Sequence, residues 1–224
     1  MVISTGKVLS INTTHVVHEG DWTGSEGRTG IDKRPSPNRV AVKNEGVEGD
    51  VIADRKHHGG YHQAVYAYAH EDLIWWEGEL GTKLTNGKFG ENLTTSGIDV
   101  THAVIGQRWA IGSSLLEVSQ PRIPCRVFAG FWGRPTLIKD FTRVGRPGAY
   151  LRIIREGDIV AGDAIEIVHS PSHGITISDL FSAKSGDRSL IAEIAIVPEI
   201  SKSIRDWAEK ILKFNNKPEE RGDE

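Results

Sequence analysis

Residues 150–168 read YLRIIREGDIVAGDAIEIV. Two runs rich in aliphatic and β-branched residues, 150–154 and 164–168, are separated by the pairs Gly157-Asp158 and Gly162-Asp163. Runs of this kind are typical of β-strands, and Gly-Asp pairs supply the positive φ angles that tight connections need. The stretch therefore predicts short strands joined by tight turns.

The same pattern recurs along the chain. Strand-like runs also occupy residues 8–12, 39–42, 64–68 and 115–118, with further Gly-Asp and Gly-Ser pairs between them. Of the 224 residues 25 are glycine and 38% are hydrophobic, which suffices for one substantial core, alone or with a small satellite. Many short strands with glycine-rich turns are typical of an antiparallel barrel or sandwich, so the sequence predicts a mainly β fold with a few helices.

Two segments interrupt this pattern. Residues 69–80 place Leu73, Trp76 and Leu80 at helical spacing and are followed by Gly81, which predicts one helix. Residues 20–38 are polar and rich in glycine and proline, which predicts a long loop. Loops of that length inside a compact domain are often functional.

After Pro171 the pattern becomes helical. Helices are predicted over 176–181, 189–197 and 201–214, the last with an apolar stripe at i, i+3, i+4, i+7 and i+8. Residues 215–224 are charged and predict a disordered tail. The predicted organisation is a β-barrel domain over 1–170, a three-helix C-terminal domain over 171–214, and the tail.

Composition narrows the function classes. A net charge of −3 gives no electrostatic footprint for nucleic acid. The sequence has no run of about 18 apolar residues, which a membrane span would need. The first residues lack the features of a secretory signal. The single cysteine excludes an intramolecular disulfide and favours a reducing, cytoplasmic location.

Several common catalytic and binding motifs are missing from the sequence. It contains no GxSxG elbow, no GxxxxGK[ST] phosphate loop and no GxGxxG fingerprint. His57, His58 and His62 are close in sequence, but Gly59-Gly60 interrupts any helix that would align them, which disfavours a zinc site. The aromatic residues Trp75, Trp76, Phe128, Phe131 and Trp132 are interpreted as packing residues rather than a stacking platform.

The only cysteine, Cys125, lies in SQPRIPCR at 119–126. A lone cysteine is usually a small buried hydrophobe. Here Arg122 and Arg126 flank it, and nearby positive charge stabilises a reactive thiolate. Because the strand predicted at 115–118 leads into this segment, Cys125 is expected on a rigid loop just beyond a strand end. Both interpretations, buried hydrophobe and reactive thiolate, stay open at this point.

Five motifs follow one another along the chain: GIDKRP at 30–35, GVEGDVIADRKHHGGYHQAVYAY at 46–68, KFGENLTTSGI at 88–98, SQPRIPC at 119–125 and RVGRPGAYLRIIREGDIVAGDAIEI at 143–167. Together they resemble the MOSC domain family, which is named for the molybdenum-cofactor sulfurase C-terminal domain. Their order and spacing are similar to the YiiM-like branch, in which a three-helix domain follows the barrel-like one. The resemblance covers nearly the whole chain.

The resemblance implies a barrel-like fold that binds the molybdenum cofactor, with Cys125 as the metal ligand. It also implies two-electron reduction of N-hydroxylated compounds to amines, including purine bases of the 6-hydroxylaminopurine type. A family-level association with pyridoxal phosphate binding comes with it. Because no flavin, haem or iron–sulfur signature is present, electrons are expected from a flavoprotein or a ferredoxin-type partner. A homodimer is compatible with this interpretation.

The resemblance assigns roles to further residues. Lys33, Arg122, Arg126 and Arg146 are expected to bind the anionic cofactor, and Asn92 to hydrogen-bond the pterin. His58 is expected to contact the pterin or to supply a proton during catalysis.

One position departs from the family pattern, because Val127 stands where relatives often have a lysine after the cysteine. Two other interpretations remain beside the reductase. One is a carrier that holds sulfur as a persulfide on Cys125 or hands the cofactor on, and the other is a barrel that binds a different anionic ligand.

Overall fold

The computed structural model describes residues 5–44 and 46–215. Within these residues the chain forms eleven strands and six helices, with single 3₁₀ turns at Asp21–Thr23 and Tyr61–Gln63. The strands are β1 (Thr5–Glu19), β2 (Arg28–Pro35), β3 (Val40–Lys43), β4 (Gly46–Val47), β5 (Val65–Ala69), β6 (Leu93–Ser96), β7 (Arg108–Ile111), β8 (Ser114–Pro121), β9 (Ala149–Arg155), β10 (Gly157–Ile159) and β11 (Ala164–His169). The helices are α1 (His70–Leu80), α2 (Arg126–Phe131), α3 (Leu137–Val144), α4 (Ile177–Ser185), α5 (Ile191–Ile196) and α6 (Lys202–Asn215).

Seven strands close into a barrel in the order β1-β11-β7-β8-β9-β5-β6 and back to β1. The neighbours pair antiparallel except β5 and β6, which are parallel. Strands β10, β3 and β4 form a separate small sheet. The mainly β prediction is confirmed, and of the two architectures it allowed the structure has the barrel. Each of the six predicted strand runs overlaps a strand, to within one residue at its start: β1, β3, β5, β8, β9 and β11.

Strand β5 separates two hydrophobic clusters. Val65 and Ala67 belong to the aliphatic core of the barrel, whereas Tyr66 and Tyr68 belong to an aromatic cluster outside it. This division follows the alternation of side chains along a strand. In the aromatic cluster Trp76 of α1 stacks on Phe141 of α3 with ring centroids 5.8 Å apart. The predicted packing role of Trp76 and Phe128 is confirmed, since both are fully buried here.

The prediction of a loop over 20–38 is wrong for Arg28–Pro35, which forms β2. This strand pairs antiparallel with the second half of β1, which extends to Glu19, well beyond the predicted run 8–12. Its polarity suggested a loop, but its polar residues Asp32 and Lys33 are buried, and each pairs with a charged side chain, Arg34 or Asp50. Partnered polar side chains are compatible with a buried strand.

The predicted helices are present. Helix α1 ends at Leu80 and is capped by Gly81, whose left-handed conformation lets its N–H donate to the carbonyl of Glu77. Helices α4, α5 and α6 occupy the predicted three-helix region, and Ile177, Leu180 and Ile194 join the same hydrophobic cluster as the barrel interior. The predicted disordered tail at 215–224 lies outside the described residues except for Asn215, where α6 ends. No helix of the described residues has the length and hydrophobicity needed to cross a membrane.

Candidate functional site

A pocket of about 120 Å³ opens at one end of the barrel. Its wall is formed by β2, the segment between β4 and β5, the turn before β6, and the segment that links β8 to α2. These elements bring together five of the residues expected from the sequence: Lys33, His58, Asn92, Arg122 and Cys125.

Cys125 takes its position from a short, stiff connection. Strand β8 ends at Pro121, and Cys125 is the N-terminal cap residue of α2 with an extended backbone. Pro121 and Pro124 restrict φ on either side of the turn. The expected place of Cys125, on a loop just beyond a strand end, is confirmed. The side chain is partly buried and lines the pocket.

The pocket favours the anionic form of Cys125. Burial alone raises the pKa of the thiol, but a hydrogen bond from His58, the positive charge of Arg122 and the backbone N–H of Phe128 outweigh it. The net effect lowers the pKa of Cys125 to about 7. A thiolate, not a thiol, is the form that ligates soft metals and attacks electrophiles.

Arg122 lies at the floor of the pocket and is 6% exposed. Its guanidinium carbon is 3.9 Å from the centroid of the Phe128 ring and 5.5 Å from that of Tyr66. Its Nη1 is buried and has no hydrogen-bond partner among the described residues. The cationic group is therefore held by aromatic faces.

A polar wall faces this floor. Lys33 Nζ lies 2.6 Å from Asp50 Oδ2, and Asn92 Nδ2 donates to the same oxygen at 2.9 Å. Thr14 Oγ1 donates to the other carboxylate oxygen at 2.9 Å. Burial raises the pKa of Asp50, but Lys33 and the two hydrogen bonds lower it by more, so the net shift of this pKa is downward. Asp50 is thus an anchored anion that neutralises Lys33.

Asn92 and Glu91 fix the turn before β6. Asn92 accepts the Tyr66 backbone N–H on Oδ1 at 3.1 Å. The Glu91 carboxylate is fully buried and accepts backbone N–H groups from Gly87 and Phe89. Burial raises the pKa of Glu91. Glu91 therefore braces the turn by side-chain to backbone bonds, while Asn92 lies in the pocket wall.

His58 reaches the pocket through a tight turn. Its backbone N–H donates to the Asp54 carbonyl at 3.0 Å, and the Asp54 carboxylate holds the ring of His57 at 2.9 Å. Gly59 and Gly60 follow with φ of +77° and +73°. This is a region that residues with a Cβ rarely adopt. The two glycines thereby turn the chain back and leave the His58 ring at the pocket.

Two expected cofactor contacts are not brought into the pocket. Arg126 is exposed and is not among the lining residues. Arg146 pairs with Asp72 at 2.8 Å, and its guanidinium lies 5.0 Å from the Trp75 ring centroid, beside a separate surface depression. In the described part of the chain no three His, Cys, Asp or Glu side chains are grouped as a metal site.

The structure adds two residues that the sequence did not single out: Tyr150 lines the pocket, and Arg28 contributes to its wall from the start of β2. Val127, the position that departs from the family pattern, also lines the pocket. Burial raises the pKa of Tyr150 to about 12, so its phenol stays neutral. The alternating pattern of β9 indicates that Tyr150 lies on one face of that strand. Which face lines the pocket depends on how the barrel closes, so the sequence alone could not assign Tyr150 to the site.

Comparison with known proteins adds three findings. A family model described as the MOSC domain matches residues 54–166. YflK of Bacillus subtilis (strain 168) is 34% identical over 157 residues, which cover 70% of this chain and 71% of YflK. A protein named Reductase from Gibberella moniliformis is 30% identical over 182 residues, which cover 78% of this chain but only 32% of that protein.

A solved structure is similar over most of this chain. The crystal structure of YiiM from Geobacillus stearothermophilus aligns with a TM-score of 0.76 at 28% sequence identity. The alignment covers 92% of this chain and 99% of that one.

Proposed function

This chain belongs to the MOSC domain family, and on that premise we propose that it is an oxidoreductase that binds the molybdenum cofactor and reduces N-hydroxylated compounds to amines. The observation that carries the proposal is the Cys125 thiol, held in a pocket beside Arg122 and His58 with its pKa lowered to about 7. The similarity to a protein named Reductase supports the reaction class. N-hydroxylated purine bases of the 6-hydroxylaminopurine type are the proposed substrates.

The residues present fit the cofactor. The pocket offers one sulfur ligand that is anionic near neutral pH, and soft thiolate suits a metal whose other ligands are also sulfur. It offers a buried arginine Nη1 and a buried Gln63 oxygen that have no partner among the described residues. Unsatisfied buried polar atoms at a pocket wall are costly, and a polar ligand relieves that cost.

We assign the holding roles accordingly. Cys125 would ligate the metal, with His58 beside it. Lys33 and Asn92, both fixed by Asp50, would hydrogen-bond the pterin. Arg28, on the pocket wall, is the cation available to an anionic group of the ligand. Arg126 and Arg146 receive no role in the pocket, because neither contributes to its lining.

The reduction consumes two electrons and two protons: R–NH–OH becomes R–NH₂ and water. When bound, the cofactor supplies the two-electron couple. His58 is the imidazole at the pocket and delivers a proton to the departing hydroxyl oxygen. Ile31, Ile52 and Val127 form the apolar part of the wall and limit the entry of water.

Electrons must arrive from outside the chain, and a flavoprotein or a ferredoxin-type protein in the cytoplasm is the proposed donor. We propose no pyridoxal phosphate chemistry. That cofactor needs a lysine free to form a Schiff base, and the lysine of this pocket, Lys33, is ion-paired to Asp50 at 2.6 Å.

Metal and pterin analysis tests the proposal. Full-length protein from a host that makes the cofactor should contain molybdenum and pterin near one equivalent and should reduce an N-hydroxylated adenine with an artificial electron donor. Cys125→Ser keeps the size and polarity of the side chain but removes the soft ligand, so activity should fall at least about 100-fold. Protein from a host that cannot make the cofactor is the matched control and should be inactive.

Two outcomes would contradict the reductase. Wild-type protein without molybdenum would exclude the cofactor role. Wild-type protein that releases sulfur on treatment with a thiol reductant, with no reduction of the N-hydroxylated base, would indicate the alternative carrier function of Cys125.

A further inference from the structure

The turn between β1 and β2, residues 20–27, lies beside the mouth of the pocket. Thr23 of this turn lines the pocket and is 2% exposed. Arg28, which follows the turn directly, and Val51 are the two exposed residues of the lining, so they mark the mouth. The turn therefore forms one side of the opening through which a ligand reaches Cys125.

The turn is a compact unit with a glycine at each end. Within it the Gly27 N–H donates to the Gly24 carbonyl at 3.2 Å. Thr23 donates to the Gly20 carbonyl through its N–H at 3.0 Å and through its hydroxyl at 2.6 Å. The end residues Gly20 and Gly27 have φ of +133° and +66°, where glycine has more conformational freedom than any other residue. The turn can therefore move as one body about its two ends.

Trp22 holds the turn on α2, the helix that begins directly after the cysteine. Gly130 of α2 makes room for Trp22, because a Cβ on this glycine would lie only 2.9 Å from Trp22 Cβ. The Trp22 ring lies 6.3 Å from the ring of Phe131 on α2 and 5.5 Å from that of His18 on β1, centroid to centroid. The tryptophan is thus packed between the end of the hairpin and the helix.

The contact between the turn and α2 continues to the pocket wall. Val127 lines the pocket, and its Cγ2 lies 3.2 Å from the position of a Cβ built on Gly24. In the described part of the chain every hydrogen bond of the turn is internal, so apolar and aromatic contacts alone hold it on α2. Such contacts are individually weak. The turn can therefore leave the helix without breaking a hydrogen bond to it.

We propose that residues 20–27 form a gate at the mouth of the pocket, that Trp22 holds this gate on α2, and that the closed gate limits the size of the molecules that reach Cys125. Trp22 is a positioning residue, because it acts through the turn and contacts the helix. A closed gate excludes water from the pocket, as mobile loops do at many active sites. The role of the gate in catalysis rests on the proposed function, since the ligands that it would admit are the cofactor and an N-hydroxylated compound.

The single cysteine makes access to the pocket measurable, since every thiol-specific label reports Cys125. Full-length protein from a host unable to make the cofactor is labelled at one pH with iodoacetamide, which is small, and with a pyrenyl iodoacetamide, which is bulky. Both reagents are uncharged and attack the same thiolate, so the ratio of the bulky to the small rate is independent of thiol ionisation. This ratio reports how wide the opening is.

Two variants open the gate and a third is the matched control. Trp22→Ala removes the contact with α2 and should raise the ratio at least about ten-fold. Gly130→Ala places a methyl group against Trp22 Cβ and should displace the turn, which raises the ratio about three-fold or more. Gly78 is also a helical glycine, on α1, but a Cβ there meets no atom within 4 Å. Gly78→Ala should therefore leave the ratio as in the wild type.

An unchanged ratio in Trp22→Ala or in Gly130→Ala overturns the gate, and so does an equal rise in Gly78→Ala. If Trp22 only stabilised the fold, its loss would lower the melting temperature and leave the ratio unchanged. If Trp22→Ala fails to fold, as judged by circular dichroism, Trp22→Leu removes the ring contacts and takes its place. All rates are read without cofactor, so an unchanged ratio overturns only the gate, whereas absence of molybdenum from wild-type protein overturns only the reductase.

Discussion

Two arginines are buried in this barrel to nearly the same extent, Arg122 at 6% and Arg152 at 4% exposed, but their surroundings differ. Arg152 donates to Glu117 at 2.6 Å, to the His62 ring at 2.9 Å and to the Glu199 carbonyl at 2.6 Å. Arg122 has aromatic faces and a cysteine instead. One guanidinium is satisfied by the fold, whereas Nη1 of the other has no hydrogen-bond partner among the described residues.

The two arginines show the difference between a buried charge that stabilises the fold and one that is available for function. The Arg152 network joins β9, β8 and the segment between α5 and α6, so its geometry is complete without any ligand. The Arg122 region is incomplete, because Nη1 has no partner in the part of the chain that the structure describes and the charge acts on a titratable thiol, that of Cys125. A buried charge without a partner is more often associated with function than with stability.

The largest effect on stability is expected at Arg152. Arg152→Met should lower the free energy of unfolding by about 2–4 kcal/mol, because Glu117 keeps only the more exposed Arg108 as a partner and the Glu199 carbonyl loses a donor. Urea unfolding followed by circular dichroism measures the change. Arg155→Met on the same strand is the matched control and should leave the midpoint unchanged, since Arg155 is exposed. Equal midpoints for the two variants would show that the network does not stabilise the fold.

The second effect depends on pH and is located at Cys125. The pKa of its thiol is lowered on folding from the reference value of 9.0 to about 7. Stability from this group is present above the unfolded pKa and is lost as pH falls through the folded pKa. Between pH 6 and 9.5 the wild type should therefore gain about 2–3 kcal/mol relative to Cys125→Ser, which does not titrate. Parallel urea curves at each pH measure this difference, and a constant difference would mean that folding leaves the thiol pKa unchanged.

Much of the fold was predictable from local pattern. The runs 150–154 and 164–168 became β9 and β11 because alternating aliphatic residues and glycine turns act over a few positions. The loop predicted over 20–38 was wrong for β2, because its buried polar residues have partners such as Asp50 that lie far along the chain. Helices α2 and α3 and strands β4, β6, β7 and β10 were missed, since each is a short element that tertiary packing stabilises.

The site residues that could be predicted from the sequence are those that lie in short continuous motifs. Cys125, Arg122 and His58 lie in short motifs with restricted backbones, and the structure brings them to one pocket. Arg126 is next to Cys125 in sequence, but α2 begins at that residue and leaves its side chain exposed. Arg146 forms an ion pair with Asp72, which keeps its side chain away from the pocket. Adjacency in sequence could not distinguish Arg122 from Arg126, because burial depends on the whole barrel.

The smallest effect on stability is expected at Arg122 itself, and it decides the comparison. Arg122→Met removes a cation that has no carboxylate partner among the described residues. The variant loses the aromatic contacts but no longer has to bury a charge, and these two effects offset each other. The free energy of unfolding should therefore stay within about 1 kcal/mol of wild type. Urea curves at pH 6, where the Cys125 thiol is mainly protonated, measure this with little contribution from the thiolate. Arg152→Met under the same conditions is the matched comparison, since the two residues have the same side chain, the same replacement and nearly the same burial. A loss at Arg122 as large as that at Arg152 would make both arginines structural, and the aromatic faces of Phe128, Tyr66 and Phe141 would then stabilise the barrel rather than hold a charge ready for a ligand.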